Sequence, residues 1–171
     1  MLDKITMKSF VFKPIGVIRT PYTKLGDVPH QPSAAAGVTG EIEIFPQFRP
    51  GLSDLKGFER IWLLFWCHLA EQYSLKVVPG RDVVHRGLFA TRAPCRPNPI
   101  GLSAVRLLDV NAEAGFLKIA DVDVVSGTPL LDIKPYIPDI DCHPDVRVGW
   151  LDDVKAGGGA PGGRSPNDSI G

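Results

Sequence analysis

Proline and glycine cut this chain into pieces too short for long helices. The sequence holds 16 prolines and 18 glycines among 171 residues, and both residue types interrupt helical structure. Between them lie short apolar runs without a sustained helical period. Glu41-Ile42-Glu43-Ile44-Phe45 alternates polar with apolar residues, the period-two mark of a strand with one buried face. Ile61 to Trp66 is continuously apolar and aromatic, which predicts a strand buried on both faces. Phe10–Thr20, Gly87–Thr91, Leu102–Val110, Phe116–Val125 and Leu130–Lys134 read as further strands, with Asn111–Gly115 as a hairpin loop. Leu52–Lys56 reads as one helical turn with Ser53 as its cap. The expectation is an all-β or mostly-β fold, a small barrel or sandwich with one or two short helical turns.

The length suits one domain, and 44% hydrophobic residues can fill its core. We expect a loose leader over 1–9, the folded domain over 10–155, and a disordered Gly-rich tail over 156–171. Cys67, Cys95 and Cys142 are scattered and odd in number, which speaks against a disulfide framework and fits a reducing compartment. Met1–Val11 has no signal-peptide pattern, and the longest apolar run, Ile61–Cys67, is too short to span a bilayer. A soluble, cytoplasmic protein is expected.

The charges balance at 19 Lys+Arg against 19 Asp+Glu, which speaks against non-specific coating of nucleic acid. Their distribution is uneven. Gln72–Leu108 carries Lys76, Arg81, Arg86, Arg92, Arg96 and Arg106 against Asp82 alone, whereas Asp109–Lys155 is dominated by aspartates. Either the two stretches neutralise each other across the fold, or the arginines form a rim for an anionic ligand. Arginine suits forked contacts to phosphate or carboxylate.

Two segments look chemical. In Ala90-Thr91-Arg92-Ala93-Pro94-Cys95-Arg96-Pro97-Asn98-Pro99-Ile100-Gly101, three prolines stiffen a loop that carries Arg92, Arg96 and Asn98. In Gly127-Thr128-Pro129-Leu130-Leu131-Asp132-Ile133-Lys134-Pro135-Tyr136, Asp132 and Lys134 alternate with apolar residues and so share one strand face. Pro29-His30-Gln31-Pro32 is a third proline-fixed stretch. No metal-ligand motif, Walker loop, dinucleotide turn or nucleophile elbow is present.

These segments, with Ile15-Gly16-Val17-Ile18-Arg19-Thr20-Pro21-Tyr22 and Phe58–His68 in the same order, resemble the TsaA-like family, the TrmO (YaeB, VirR-like) group of tRNA methyltransferases. The resemblance covers about Phe10 to Asp141. It implies a small β-barrel that works as a homodimer and binds S-adenosylmethionine at or near the interface. It also implies methylation of N6 of the threonylcarbamoyl-adenosine next to the anticodon of tRNA. By motif, the cofactor contacts are expected from Gln31, Pro32, Ser33, Ala70, Glu71, Arg92, Leu102, Ala120, Asp121, Val122 and Asp123. Asn98, Asp132 and Tyr136 are the catalytic candidates, and Arg96, Lys134, Arg86 and His30 the substrate contacts. The chain departs from the family where His30 replaces an arginine, Ser126 an aspartate and Cys95 an aromatic residue, and no counterpart of the extra C-terminal domain of longer members is expected in it. The alternatives are a non-catalytic barrel that binds RNA or a nucleotide-like ligand, and a methyltransferase for another small substrate.

Overall fold

In the computed structural model, residues 10–29, 35–80 and 82–156 are described. The strands are β1 (Gly16–Arg19), β2 (Thr39–Ile44), β3 (Arg60–Trp66), β4 (Lys76–Val77), β5 (Arg86–Gly87), β6 (Ile100–Asn111), β7 (Phe116–Ala120) and β8 (Thr128–Pro135). Two short helices follow, α1 (Pro138–Asp141) and α2 (Trp150–Ala156). Six strands close into a barrel in the order β1-β2-β7-β6-β3-β8, and every pairing is antiparallel. Strands β4 and β5 form a separate two-stranded sheet. The expected mostly-β barrel is therefore present. Among the described residues no helix is long and apolar enough to cross a membrane.

Alternation fixes which residues fill the barrel. Ile18, Ile42, Ile44, Ile61, Leu63, Val105, Leu117, Ile119 and Leu130 point inward and are fully buried. Each such side chain stabilises the fold by roughly 1.5–3 kcal/mol relative to exposure, and a one-residue slip of any strand would turn its set outward. The β6–β7 hairpin closes where expected. The Asn111 side-chain oxygen accepts from the Ala114 amide at 3.0 Å, and Gly115 takes a φ of +79° that a side chain would resist.

Several boundaries differ from expectation for identifiable reasons. The stretch Phe116–Val125 is a strand only to Ala120, because Asp121 turns into the left-handed region at φ +63°. Gly87–Thr91 is not a strand beyond Gly87: a 3-10 turn spans Leu88–Ala90, with the Thr91 amide and hydroxyl both donating back to the Leu88 carbonyl. Only Gly16–Arg19 of Phe10–Thr20 pairs as a strand, and Phe10, Val11 and Phe12 are exposed. Ser53 caps no helix start. A 3-10 segment over Pro46–Leu52 ends at it, and its hydroxyl donates to the Pro50 carbonyl at 3.0 Å. Strand β3 is buried on one face rather than two: Trp62 and Leu64 are half-covered and Trp66 is 47% exposed. The leader and tail lie outside the described residues, except that Ala156 closes α2.

Candidate active site

Several of the chemistry-bearing side chains gather where β3 ends and β6 begins. The loop between β5 and β6 winds tightly first. Arg96 Nη1 lies 3.1–3.4 Å from the carbonyls of Leu88, Thr91 and Ala93, and its guanidinium sits 5.6 Å from the Phe89 ring. Arg96 thus organises the loop from within. The far end of the loop is pinned by the Cys67 amide, which donates to the Pro99 carbonyl at 2.8 Å. The turn that carries Ala70 and exposed Glu71 starts from the same place, through a 2.9 Å bond from the Ala70 amide to the Cys67 carbonyl.

Arg92 and Asp123 then meet one strand. Arg92 Nη2 donates to the Leu102 carbonyl at 2.7 Å, and the Ser103 hydroxyl donates to Asp123 Oδ1 at 2.9 Å. They attach to consecutive residues of β6, past Arg106–Ala120, where the β6–β7 pairing ends. Leu102 itself is 44% exposed, whereas Ala120 and Val122 are buried in the wall behind. The proline-rich Arg92 loop and the Asp123 segment, distant in sequence, are thus both tied to the start of β6. Gln31, Pro32, Ser33 and His30 lie outside the described residues.

The outer face of β8, β3 and β6 continues the site. Asp132 pairs with Leu64, which pairs with Leu102; Lys134 pairs with Trp62, which pairs with Ala104. Asp132 therefore stands two strands from Leu102, about 10 Å at the usual strand spacing. Lys134 Nζ lies 2.8 Å from Asp132 Oδ2, and Asp132 Oδ1 accepts from the Ile133 amide at 2.9 Å. The shared face expected for Asp132 and Lys134 is thus observed. Tyr136 packs on Trp62 with ring centroids 5.5 Å apart. Burial first, and the Cys142 thiol second, hold its phenol above the ordinary value, so it keeps its proton at neutral pH. Asn98 is exposed at the loop tip. Trp62, Leu64 and Trp66 are the floor between these groups. Sequence reasoning assigned these side chains to the core, and only the even spacing of Trp62, Leu64 and Trp66 could have marked them as a separate, outward set.

Two expected ligand contacts are engaged within the fold. The Asp121 carboxylate accepts from Arg106 Nε at 2.8 Å, Arg60 Nη2 at 3.4 Å and the Gly37 amide at 2.9 Å. It ties three segments together, and the Arg106 hydrogen bond is the main cause that lowers its pKa. A lowered carboxyl pKa adds stability above the unfolded value of about 3.9, and that stability is lost as pH falls through the lower folded value. Asp121→Asn is therefore expected to lower the urea midpoint at pH 7, with the gap to the parent protein narrowing as pH falls below the ordinary carboxyl value of about 3.9; a gap that does not change with pH would contradict the pairing. Arg86 is the other case. Its Nε donates to Asp82 at 2.7 Å and its guanidinium lies 5.1 Å from the Trp150 ring.

The three thiols are free. Burial, then the neighbouring Cys95, raises Cys67 to about 11. Its thiol form is favoured by folding, so this contribution holds below about pH 9 and fades as pH climbs toward 11. Alkylation of the native protein at pH 8 should label exposed Cys142 first and Cys67 last. Equal labelling rates for the two, followed by peptide mass spectrometry, would contradict the burial of Cys67.

Known proteins share this barrel. The model of the tRNA-methyltransferase O N-terminal domain matches residues 17–142. A probable S-adenosyl-L-methionine-binding protein of Pyrococcus abyssi is 48% identical over 141 residues, which is 82% of this chain and 76% of that protein. The tRNA (adenine(37)-N6)-methyltransferase of Escherichia coli is 36% identical over 158 residues, 88% of this chain and 67% of that protein. A crystal structure of TrmO from Pseudomonas aeruginosa is similar with a TM-score of 0.71 and 39% identity, covering 85% of this chain and 64% of the other. This chain thus spans less than two thirds of that solved one. With the matched residues running from β1 to the end of α1 and so through all six barrel strands, the chain belongs to the tRNA-methyltransferase O N-terminal domain family.

Proposed function

We propose that this chain is an S-adenosylmethionine-dependent methyltransferase acting on N6 of threonylcarbamoyl-adenosine beside the anticodon of tRNA. The observation that carries the reading is the attachment of Arg92 and Asp123 to neighbouring residues of β6, beside exposed Leu102 and on the sheet that presents Asp132. The names of the Escherichia coli and Pyrococcus abyssi relatives support it.

The donor set suits the cofactor's chemistry. S-adenosylmethionine combines a flat aromatic base with a carboxylate, an ammonium and a sulfonium. The site offers an exposed leucine, an exposed arginine and the carboxylates of Asp123 and Glu71. In this reading Ala70, Glu71, Arg92, Leu102 and the Ala120–Asp123 segment hold the cofactor together with Gln31, Pro32 and Ser33. When bound, it supplies an electrophilic methyl group. The protein's part is position and electrostatics. An exocyclic adenine amine is a weak nucleophile because its lone pair is delocalised into the ring, and it must shed a proton on methylation. Asp132 is the acceptor, with Lys134 and the Ile133 amide fixing its two oxygens. Tyr136 and Asn98 orient the base as donors. The carboxylate of the modified adenosine is a partner for the side of the Arg96 guanidinium away from Nη1, which holds the loop carbonyls, and Lys134 and His30 serve the tRNA backbone, Arg86 being committed to Asp82 and Trp150. The anticodon loop is single-stranded, so exposing its base costs little.

The working form in this reading is a homodimer of barrels, each spanning 10–155, in the cytoplasm. The uncovered outer face of β3 and β6 supports it: Trp66, Ile100 and Leu102 are 47%, 43% and 44% exposed and adjoin one another across the two strands.

Titration calorimetry tests the cofactor site. The protein should bind S-adenosylmethionine, and Arg92→Ala should weaken binding by about 10-fold, the loss of one charge-assisted contact. No heat of binding to the parent protein, or unchanged affinity in the variant, would contradict the assignment.

A further inference from the structure

Trp150 lies beyond the matched family domain, which ends at residue 142, yet it reaches back to the arginine loop. Its indole N–H donates to the Ala90 carbonyl at 2.8 Å. Its ring faces the Arg86 guanidinium at 5.1 Å, and Arg86 is in turn held by Asp82 at 2.7 Å. Asp82 also accepts from the amides of Val83 and Val84 at 2.7 and 3.2 Å, so it fixes the start of the same loop. One side chain thus touches the segment from Asp82 to Arg92 at two points, the Arg86 guanidinium and the Ala90 carbonyl. The helix that carries it is set by its own contacts: Asp152 Oδ2 accepts from the Val148 amide at 2.9 Å, closing the turn that precedes Trp150.

The loop needs such a clasp. Its inner side is anchored through buried Leu88, whose carbonyl takes the Thr91 amide and hydroxyl. Its outer side is open, with Phe89 74% exposed and Ala90 and Arg92 also exposed. Ala90 stands two residues before Arg92, so motion of its carbonyl is carried straight into the Arg92 backbone.

We propose that Trp150 is a positioning residue: it latches the 82–92 segment and thereby sets the aim of Arg92 toward the cofactor. The proposal rests on the cofactor reading above. A misplaced Arg92 weakens cofactor binding, whereas the rate at saturating cofactor depends on Asp132, which the latch does not touch.

Hydrogen exchange followed by mass spectrometry tests the latch without any ligand. In the full chain, Trp150→Ala should raise exchange at the Thr91 and Ala93 amides by about 10-fold, about 1.4 kcal/mol of lost protection, and leave the β6 and β7 amides unchanged. Its S-adenosylmethionine affinity should fall by a similar factor, with kcat at saturating cofactor little altered. Trp150→Phe, which keeps a ring over Arg86 but donates no hydrogen bond, should fall between. Unchanged loop exchange in Trp150→Ala would overturn the proposal, and so would faster exchange with undiminished cofactor affinity. A parent protein that binds no cofactor would instead overturn the functional reading, with the exchange data still deciding the latch.

Discussion

Asp132→Asn is expected to lower the methyl-transfer rate by about 100-fold, the low end of what a positioned proton acceptor contributes. The amide matches the carboxylate in shape, but it cannot take the proton that the methylated amine must lose. The Lys134–Asp132 pair is exposed, at 61% and 45% for the two side chains, so breaking it costs about 0–1 kcal/mol of stability. Cofactor affinity should also hold, because Asp132 stands across two strands from Leu102. Single-turnover rates and calorimetry on one variant separate the effects. A rate equal to that of the parent protein would remove Asp132 as the acceptor.

Gly101→Ala should have the largest effect on the fold. A β-carbon at Gly101 would overlap the ring of Phe65, its cross-strand partner, and Phe65 is 9% exposed and enclosed by the barrel core. The ring has nowhere to swing, so either β6 or the core must shift. Overpacking of this kind costs about 3 kcal/mol. The damage falls next to Leu102, so cofactor binding should weaken in the surviving folded fraction as well. Urea denaturation with unchanged midpoint would show that the wall at this point yields more easily than the packing implies.

Strands with one buried face were legible because their chemistry is local. Glu41–Phe45 alternates, and Asn111–Gly115 carries its own turn residues, so both could be read without knowing the rest of the barrel. The failures share a different cause. Nothing near Asp121 in sequence predicts that it will turn at φ +63° while Arg106, Arg60 and Gly37 converge on its carboxylate. The strand expected through Val125 stops there for long-range reasons. Gly87–Thr91 likewise looks extended until Arg96, several residues on, gathers the carbonyls of Leu88, Thr91 and Ala93. An apolar run such as Ile61–Trp66 does not distinguish a face buried in the fold from one left open on the barrel wall.

The candidate site was legible in its parts rather than its arrangement. The prolines marked the Arg92 loop, and the alternation of Asp132 with Lys134 gave their shared face, as their 2.8 Å pair bears out. That Arg92 and Asp123 would meet adjacent residues of β6 depends on barrel closure. Trp150 carried no local signal, because its partners Ala90 and Arg86 are about sixty residues away in sequence.

The central claim is tested most directly on the nucleosides of tRNA. Incubation with S-adenosylmethionine labelled in the methyl group, digestion and mass spectrometry should place the label on N6 of threonylcarbamoyl-adenosine, and tRNA from cells lacking that modification should stay unlabelled. Label on any other nucleoside, or on neither tRNA while the protein binds the cofactor, would contradict the account.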